Sequence, residues 1–371
     1  MAKAFGIINS SGNHIYVEGM QDYRPIGAFS FLGRYRTVDF PISNMSNSNI
    51  EHVQVFLNQN PRSLVEHLGS GRHYNINSKR GKVQLLFSAD SSATSIYNTD
   101  IANFYKNLES IKKVNANYVV IAPSYIVYVE NYQKLIDKHI ASGADVTLLY
   151  HKVENADTEY LNSDELLMNR QHGVEEIKKN RGIEPKKNIF LDTYVMSKDL
   201  FIDLVVKAHN LSSMYTLCQI VNISCADLDV RGEEHTGYFA PLTTFKNVYK
   251  YNMALIDRKV ADELFDEKWP IYTRTNDSCP TQYFAGSSVK GSVVSNGCLI
   301  EGTIENSIVG RGCKIGKGCV IKNCIISSDA VIAEGTHLEN LIVDKHASIL
   351  HAKEIICASD NPGYVKRGDT I

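Results

Sequence analysis

The stretch "ENSIVGRGCKIGKGCVIKNCII" (305–326) decides the fold of the C-terminal part of the chain, because its aliphatic residues recur every six positions. Neither a helix nor a β-meander repeats with a step of six. A coil with three flat faces does, since each face takes about six residues and turns an aliphatic side chain inward. The aliphatic residues that keep this step are Val309, Ile315 and Ile321, then Ile326, Ile332 and Leu338, then Val343 and Ile349. We therefore predict a left-handed parallel β-helix of hexapeptide repeats over residues 287–371.

A second, longer period runs through the same part of the chain. The segments "ENSIV" (305–309), "KNCII" (322–326) and "ENLIV" (339–343) are 17 residues apart. Cys313 and Cys319 fall at matching places on successive faces, so we predict that they pack as small residues and are neither metal ligands nor disulfide partners. The ends of such a coil expose strand edges and apolar surface, and we expect them to dock onto another surface.

The N-terminal part has a different pattern, in which short apolar strands alternate with amphipathic helical stretches. The strand-like runs are "EHVQVFLN" (51–58) and "NYVVIAPS" (117–124), and the helical ones are "NFYKNLESIKKV" (103–114) and "NYQKLIDKHIASG" (131–143). This alternation is typical of α/β proteins. We predict a Rossmann-like domain with a mostly parallel sheet over residues 1–258, joined to the β-helix by a connector over residues 259–286.

The composition excludes several classes of partner. The chain has 371 residues, 43% of them hydrophobic, and a formal net charge of -2. We expect no nucleic-acid partner, because no basic block stands out. We expect no membrane association, because no apolar run approaches the length of a membrane span. The eight cysteines form no metal-like CxxC pair, which favours a reducing, cytoplasmic setting.

The first strand leads into an unusual loop. The run "AFGIINSSG" (4–12) reads as a buried strand followed by small polar residues. Many nucleotide-binding folds place a glycine-rich phosphate loop here, because backbone N–H groups must approach the phosphates closely. This loop contains one glycine, Gly12.

Two further segments carry a resemblance to a known family. The segments "GRYRTVDFPISNMSNSNI" (33–50) and "WPIYTR" (269–274), together with the six-residue repeat, resemble the ADP-glucose pyrophosphorylases. The resemblance implies a nucleotidyltransferase domain followed by a β-helix. It also implies the reaction of glucose 1-phosphate with ATP to give ADP-glucose and pyrophosphate, with Mg²⁺ held by carboxylates.

The chain departs from this family at the positions that neutralise charge. The family's loop glycines, loop arginine, two metal-binding aspartates and a lysine are replaced here by Asn9, Ser10, His14, Tyr125, Pro241 and Ala240. Tyr125 stands at the first aspartate, and a phenol with an ordinary pKa near 10 is a poor ligand for Mg²⁺. Pro241 stands at the second aspartate and has no side-chain ligand at all. These replacements predict that the chain has no catalytic residues and binds no cofactor of its own.

The segments "FLDTYVMSKDL" (190–200), "IANFYKNL" (101–108) and "GYFA" (237–240) are similar to the non-catalytic, regulatory GlgD-type branch of the family. This similarity implies a silent subunit that assembles with a catalytic ADP-glucose pyrophosphorylase chain. The expected complex is a hetero-oligomer, most simply a heterotetramer, in which the partner holds the Mg²⁺. The resemblance also places Arg34 and Arg36 in the segment where catalytic relatives bind a sugar-phosphate activator, although both arginines could instead pair with acidic surface groups.

Two alternative functions remain open at the level of the sequence. One is an active nucleotidyltransferase with unusual ligands, for which the candidate carboxylates are Asp100, Asp192 and Asp227. The other is a hexapeptide-repeat acyltransferase, in which a β-helix histidine acts as general base; the candidates are His337, His346 and His351.

Overall fold

The computed structural model describes residues 3–9, 15–57, 60–77, 79, 81–87, 98–212 and 214–371. The backbone divides into two compact units. The first unit comprises Met1–Ile15 and Phe40–Phe239, and the second comprises Tyr16–Asp39 and Ala240–Ile371. The domain boundaries predicted at residues 258 and 286 assume domains that follow one another along the chain, and these boundaries remain a prediction.

The secondary structure follows the two sequence patterns. The helices are α1 Asp39–Asn47, α2 Arg62–Leu68, α3 Asp100–Lys106, α4 Leu108–Lys112, α5 Tyr132–Ser142, α6 Lys198–Leu211, α7 Leu217–Ser224, α8 Phe245–Ala254 and α9 Arg258–Leu264, with 3-10 turns at Ile26–Ala28 and Arg72–Tyr74. The strands before the β-helix are β1 Ala4–Asn9, β2 Ser30–Phe31, β3 Tyr35–Arg36, β4 His52–Leu57, β5 Lys82–Phe87, β6 Tyr118–Pro123, β7 Ile126–Tyr128, β8 Val146–Val153, β9 Asp164–Met168, β10 Val174–Lys179, β11 Lys187–Ser197, β12 Val230–His235 and β13 Phe239–Pro241. No helix in the described part of the chain is long and apolar enough to cross a membrane.

The first unit is built on a nine-stranded sheet in the order β10-β9-β11-β6-β1-β4-β5, with β8 pairing β11 and β12. Strands β6, β1, β4 and β5 run parallel, while β11 runs antiparallel to β6, β8 and β9. The predicted α/β class is confirmed. Because β1 and β6 are parallel and in register from Ala4↔Tyr118 to Asn9↔Pro123, the loops after both strands leave from the same edge of the sheet.

The helices of this unit bury apolar faces against the sheet. Helices α3, α6 and α7 contribute Phe104, Phe201 and Ile220 to one core that also contains the buried side chains of β6 and β11. Helix α5 ends at Gly143, whose φ of 68° is the left-handed conformation that a glycine cap adopts readily. The continuous helical stretch predicted over 103–114 is instead divided into α3 and α4, because Asn107 at the junction has non-helical φ and ψ.

The β-helix of the second unit has three parallel sheets, each of five strands. Its strands are β14 Gln282–Tyr283, β15 Ser288–Lys290, β16 Val293–Val294, β17 Leu299–Ile300, β18 Thr303–Glu305, β19 Ile308–Val309, β20 Lys314–Ile315, β21 Val320–Lys322, β22 Ile325–Ile326, β23 Val331–Ile332, β24 His337–Glu339, β25 Leu341–Val343, β26 Ser348–Ile349, β27 Glu354–Ile356 and β28 Gly363–Val365. All eight aliphatic residues that carry the six-residue step are buried in its core. The predicted β-helix is therefore confirmed.

Asparagine corners account for the slips in the six-residue phase. Asn306, Asn323 and Asn340 have φ values of 44°, 49° and 57°, the left-handed region that asparagine tolerates better than most residues. Each lies where the step between inward aliphatic residues shortens from six to five. The Asn306 side-chain amide donates to Asn323 Oδ1 at 2.6 Å, so the corners also stack by hydrogen bonding.

The β-helix cysteines are packed inside the coil, as the sequence predicts. Cys313 and Cys319 are free thiols and fully buried. Each thiol donates to a carbonyl oxygen of the next coil, Cys313 to Ser327 at 3.1 Å and Cys319 to Ala333 at 2.8 Å.

Candidate functional site

The site that the sequence predicts to be a degenerate nucleotide pocket lies at the edge of the sheet where β1 and β6 end. Asn9, the last residue of β1, is buried, and its side-chain amide donates to Asp100 Oδ2 at 3.4 Å. The other two loop positions predicted to be degenerate, Ser10 and His14, lie outside the described residues. The structure thus joins one of the three loop positions to a carboxylate that the sequence offered as an unusual ligand.

Tyr125 stands in the loop between β6 and β7, where the family has its first metal-binding aspartate. Its hydroxyl donates to Asp192 Oδ2 at 3.1 Å, and the hydroxyl of Tyr194 donates to Asp192 Oδ1 at 2.8 Å. Burial, and then the charge of Asp192, hold the pKa of Tyr125 well above its ordinary value. The phenol therefore keeps its proton and acts as a hydrogen-bond donor to the carboxylate.

Asp192 occupies a strained backbone position that aims its side chain at the two tyrosines. Its φ is 49°, and the pairing of β11 with β8 shifts register between Phe190 and Tyr194. A left-handed φ costs roughly 1–2 kcal/mol for a residue with a Cβ, and the two hydroxyl donors offset part of that cost. Sequence reasoning missed Tyr194, although the spacing of two between Asp192 and Tyr194 in "FLDTYVM" was a usable signal.

Asp100 is the first residue of α3 and is buried. The backbone N–H of Leu217 donates to both of its oxygens, at 3.1 and 3.2 Å, and the N–H of Ile101 donates at 2.8 Å. Burial, and then the charge of Asp192, raise the pKa of Asp100 to about 7, against the opposing effect of these donors. A buried carboxyl that lies near a second carboxylate is difficult to ionise without a cation.

These residues do not fit a Mg²⁺ ion. Both oxygens of Asp192 accept tyrosine hydroxyls, and both oxygens of Asp100 accept backbone N–H groups. Among the residues that the structure describes, no group of three or more His, Cys, Asp or Glu side chains is placed to hold a metal. The third candidate carboxylate, Asp227, lies in an exposed turn between α7 and β12.

The last two positions that the sequence predicts to be degenerate lie on one short strand. Ala240 and Pro241 belong to the short strand β13, and both are buried. Neither side chain can hold a cation or a phosphate. The two positions that the sequence matches to the family's lysine and second aspartate therefore offer no charged side chain.

The second unit contains a buried cluster of cationic side chains around Asp344. Arg24 Nη2 donates to both carboxylate oxygens of Asp344, at 2.8 and 2.7 Å, and the two side chains are 2% and 1% exposed. The hydroxyl of Tyr364 donates to Asp344 Oδ2 at 2.6 Å. Burial raises the pKa of Asp344, but the charge of Arg24 and these hydrogen bonds lower it by more. The net shift of the pKa is downward, so the carboxyl stays ionised.

Arg36, one of the two candidate effector residues, faces this cluster. Its Nη1 donates to the carbonyl oxygen of Ala28 at 2.7 Å. Burial, and then the charge of Arg24, lower the pKa of Arg36 to about 10. Burial, followed by Arg36 and Arg24, lowers the pKa of Lys345 to about 6. Positive charge is thus crowded here.

Arg34, the other candidate, lies on the surface and lines a cavity of about 520 Å³ in the same unit. Arg311 lines the same cavity, and burial followed by the charge of Arg34 lowers the pKa of Arg311. Tyr35 and Phe265 stack at 5.3 Å on its wall. Ser295, Asn296 and Asn276 add polar groups, and its lining includes no carboxylate among the described residues. The structure therefore separates the two candidates: Arg34 faces a cavity, and Arg36 is half-buried and feels the charge of Arg24.

The three β-helix histidines do not come together. His337 lies on β24, with Nδ1 3.5 Å from Glu354. His346 is exposed at a left-handed turn, 3.9 Å from Asp329, and His351 is exposed after β26. Each has a surface or corner environment.

Two family models match parts of the chain. Residues 23–160 match the model described as nucleotidyl transferase, and residues 281–361 match the model described as GlmU-like, C-terminal hexapeptide. These matches agree with the sheet of the first unit and the β-helix of the second.

Several curated proteins are similar over most of the chain. The glycogen biosynthesis protein GlgD of Geobacillus stearothermophilus is 30% identical over 86% of this chain and 83% of its own length. The GlgD protein of Bacillus subtilis (strain 168) is 29% identical over 98% of this chain and 95% of its own length. The glucose-1-phosphate adenylyltransferase of Geobacillus stearothermophilus is 30% identical over 80% of this chain and 77% of its own length. Because the identity reaches 30% over more than two thirds of both chains, the chain belongs to the family of the GlgD glycogen biosynthesis proteins and the related glucose-1-phosphate adenylyltransferases.

Proposed function

We propose that this chain is a regulatory, catalytically silent subunit of an ADP-glucose pyrophosphorylase complex in glycogen synthesis. One observation carries the proposal. At the position where the family resemblance places a metal-binding aspartate, the Tyr125 hydroxyl donates a hydrogen bond to Asp192, which also accepts one from the Tyr194 hydroxyl. The site thus satisfies its own carboxylate with internal hydrogen bonds, and no ionised pair is left to bind Mg²⁺ between two anionic substrates.

The partner in this proposal is a catalytic glucose-1-phosphate adenylyltransferase chain of the same family, which holds the Mg²⁺. The complex is a cytoplasmic hetero-oligomer, most simply a heterotetramer. The five-coil β-helix supports this role, because the strands of its first coil, β14–β16, pair on one side only within the described residues. Deleting residues 287–371 should abolish or weaken assembly in co-purification. Normal assembly of the truncated chain would show that docking occurs elsewhere.

The direct test of silence is an assay of the purified chain with glucose 1-phosphate, ATP and Mg²⁺. We expect no ADP-glucose above background, because each lost electrostatic group typically costs ~10²–10³ in rate. The variant Tyr125→Asp should also stay inactive, since the loop position Asn9 and the strand position Pro241 remain unable to hold charge. Co-expression with the catalytic chain, followed by mass measurement and kinetics, tests the partner.

A second candidate, an active enzyme with unusual ligands, is favoured by the charge of Asp192, which contributes to the raised pKa of Asp100. It predicts a Mg²⁺-dependent rate in the isolated chain that Asp192→Asn abolishes. A rate of this kind would overturn the proposal of a silent subunit.

We further propose that the cavity lined by Arg34 and Arg311 binds an anionic effector of the sugar-phosphate class. The charge of Arg34 lowers the pKa of Arg311 more than the charge of Asp39 raises it, and a phosphate bound in the cavity would relieve this repulsion by charge-assisted hydrogen bonds. Arg36 acts as a positioning residue in this proposal, because its contact with Ala28 holds the hairpin that carries Arg34.

The effector proposal is tested by the dose-response of the mixed complex to a sugar bisphosphate. Arg34→Ala should leave the unstimulated rate unchanged and weaken the response about 5–150-fold, the usual range of allosteric coupling. Arg258→Ala is the matched control, because Arg258 is an exposed arginine of the same unit. Equal curves for Arg34→Ala and the control would place the effector site on the partner.

A further inference from the structure

His235, the last residue of β12, makes two contacts that a neutral imidazole cannot make together. The residue is 2% exposed. Its Nδ1 lies 3.0 Å from Glu130 Oε2, and its Nε2 lies 3.3 Å from the carbonyl oxygen of Tyr238. A neutral imidazole has one donor and one acceptor nitrogen, whereas carboxylate and carbonyl oxygens only accept. Both contacts are hydrogen bonds only when each ring nitrogen carries a proton.

We propose that Glu130 holds His235 as an imidazolium cation, and that this cation is a pH-sensitive clasp for residues 236–239. These are the last residues of the first unit before the chain enters the second. When the ring loses a proton, its remaining N–H stays with the charged Glu130, which is the stronger acceptor, and the contact with Tyr238 is lost. The inference is independent of the proposed function, because it concerns the protonation of a group outside the nucleotide pocket.

The neighbouring histidine does not compete for the charge. His151 on β8 is the cross-strand partner of His235, and its Nδ1 donates to the His235 carbonyl oxygen at 3.1 Å. Burial, and then the positive charge of His235, lower the pKa of His151. His151 is therefore neutral when His235 is charged.

The remaining charged or titratable groups around the pair are accounted for by other partners. They are Tyr128 on β7, Tyr132 and Lys138 on α5, Lys152 on β8, and Glu233 and Glu234 on β12. Lys138 pairs with Glu233 and Lys152 with Glu234. Burial raises the pKa of both tyrosines, so they stay neutral over the range in which a histidine titrates. Glu130 Oε1 accepts the backbone N–H of Asn131 at 2.9 Å, which leaves Oε2 for His235.

The substitution Glu130→Gln separates charge from hydrogen bonding. A glutamine amide can donate to Nδ1 of a neutral His235, while Nε2–H still donates to the Tyr238 carbonyl. Both contacts then survive without a charge, and the glutamine oxygen still accepts from Asn131. The variant should therefore fold, and the clasp should no longer depend on pH.

The test compares the two full-length chains over a pH series that begins at about pH 5, below the range in which histidines lose their proton. Hydrogen exchange of peptides covering residues 230–239, corrected for the intrinsic rate, reports the clasp. Wild-type protection should fall about ten-fold or more as pH rises, the effect of losing one hydrogen bond to a charged group. Protection in Glu130→Gln should stay constant.

Nitrogen-15 NMR of the histidine rings provides a second readout that needs no variant. Under conditions where residues 230–239 are protected in the wild type, we expect His235 to carry protons on both nitrogens in the wild type and on one nitrogen in Glu130→Gln. The proposal is overturned if wild-type protection is constant, if the two chains change in parallel, or if the wild-type ring carries one proton.

Discussion

The buried pair Arg24–Asp344 gives the sharpest stability prediction. Removing one member of a buried ion pair leaves an uncompensated charge and typically costs ~3–5 kcal/mol. The two members should not be equivalent here. Without its carboxylate, Asp344→Asn leaves Arg24 facing Arg36, so the loss should reach the upper part of that range.

Arg24→Met should cost less than Asp344→Asn. Its removal leaves Asp344 with two donors, the Tyr364 hydroxyl at 2.6 Å and the Lys345 backbone N–H at 2.7 Å. The arginine is also incompletely satisfied, since Nε and Nη1 are buried without a hydrogen-bond partner in the described structure. We therefore place Arg24→Met near the lower end, ~3 kcal/mol. The double variant Arg24→Met/Asp344→Leu should be far closer to the wild type than Asp344→Asn, because no buried charge is stranded.

The assay is urea unfolding followed by tryptophan fluorescence. The only tryptophan, Trp269, belongs to the second unit, so the signal reports on the unit that contains the pair. The midpoint should fall in the order wild type, Arg24→Met, Asp344→Asn. The reasoning is refuted if Asp344→Asn lies within ~1 kcal/mol of the wild type, or if the double variant is as unstable as Asp344→Asn.

Three further predictions concern pH and the β-helix corners. The pKa of Asp100 is raised to about 7 in the folded chain. The folded state therefore binds more protons than the unfolded state between about pH 4 and pH 7, and the free energy of unfolding falls as pH rises through that window. The variant Asp100→Asn should lose this dependence, and a pH profile of unfolding parallel to that of the wild type would contradict the assignment. The pKa of Lys345 is lowered to about 6 in the folded chain. The unfolded state therefore binds more protons between about pH 6 and pH 10, and the free energy of unfolding rises with pH in that range. The variant Lys345→Met should be more stable than the wild type at neutral pH, and this difference in stability should shrink as pH rises. Asn323→Ala should destabilise the β-helix by ~1–2 kcal/mol through its left-handed φ, whereas Asn323→Gly should recover most of that loss in thermal unfolding; equal losses would assign the effect to the hydrogen bond with Asn306.

Most of the fold follows from patterns that are local in the sequence. A step of six can be satisfied by only one regular structure, so the aliphatic residues from Val309 to Ile349 were sufficient to predict the β-helix and its buried face. The helix ending at Gly143 was predictable for the same reason, because its cap and its spacing are read within one segment. The break at Asn107 was not predicted, because the apolar spacing over residues 103–114 continues through it.

The sequence also predicted which chemical groups are missing from the nucleotide pocket. The prediction that Tyr125 and Pro241 replace the family's carboxylates rests on the resemblance and used no coordinates. What those residues do instead was decided by tertiary structure. Asp192 meets Tyr125 across 67 positions of the chain, and Asp100 meets the N-terminus of α7 across 117. Hydrogen bonds at such separations depend on the order of the strands in the sheet and on a β-bulge, and neither produces a periodic pattern in the sequence.

The two candidate effector arginines show the same division. Their spacing in "GRYR" was visible in the sequence, and it suggested one shared site. The structure separates them, because Arg34 lies in the turn between β2 and β3, directly after the left-handed residues Leu32 and Gly33, whereas Arg36 lies in β3. Arg34 faces a cavity with Arg311, which lies 277 positions away, and Arg36 points to the cluster around Asp344. Residue type and local spacing were therefore sufficient to predict the fold class and the loss of charged groups from the pocket. The long-range partners of each charged group, and therefore its pKa and its role, were decided only when the chain folded.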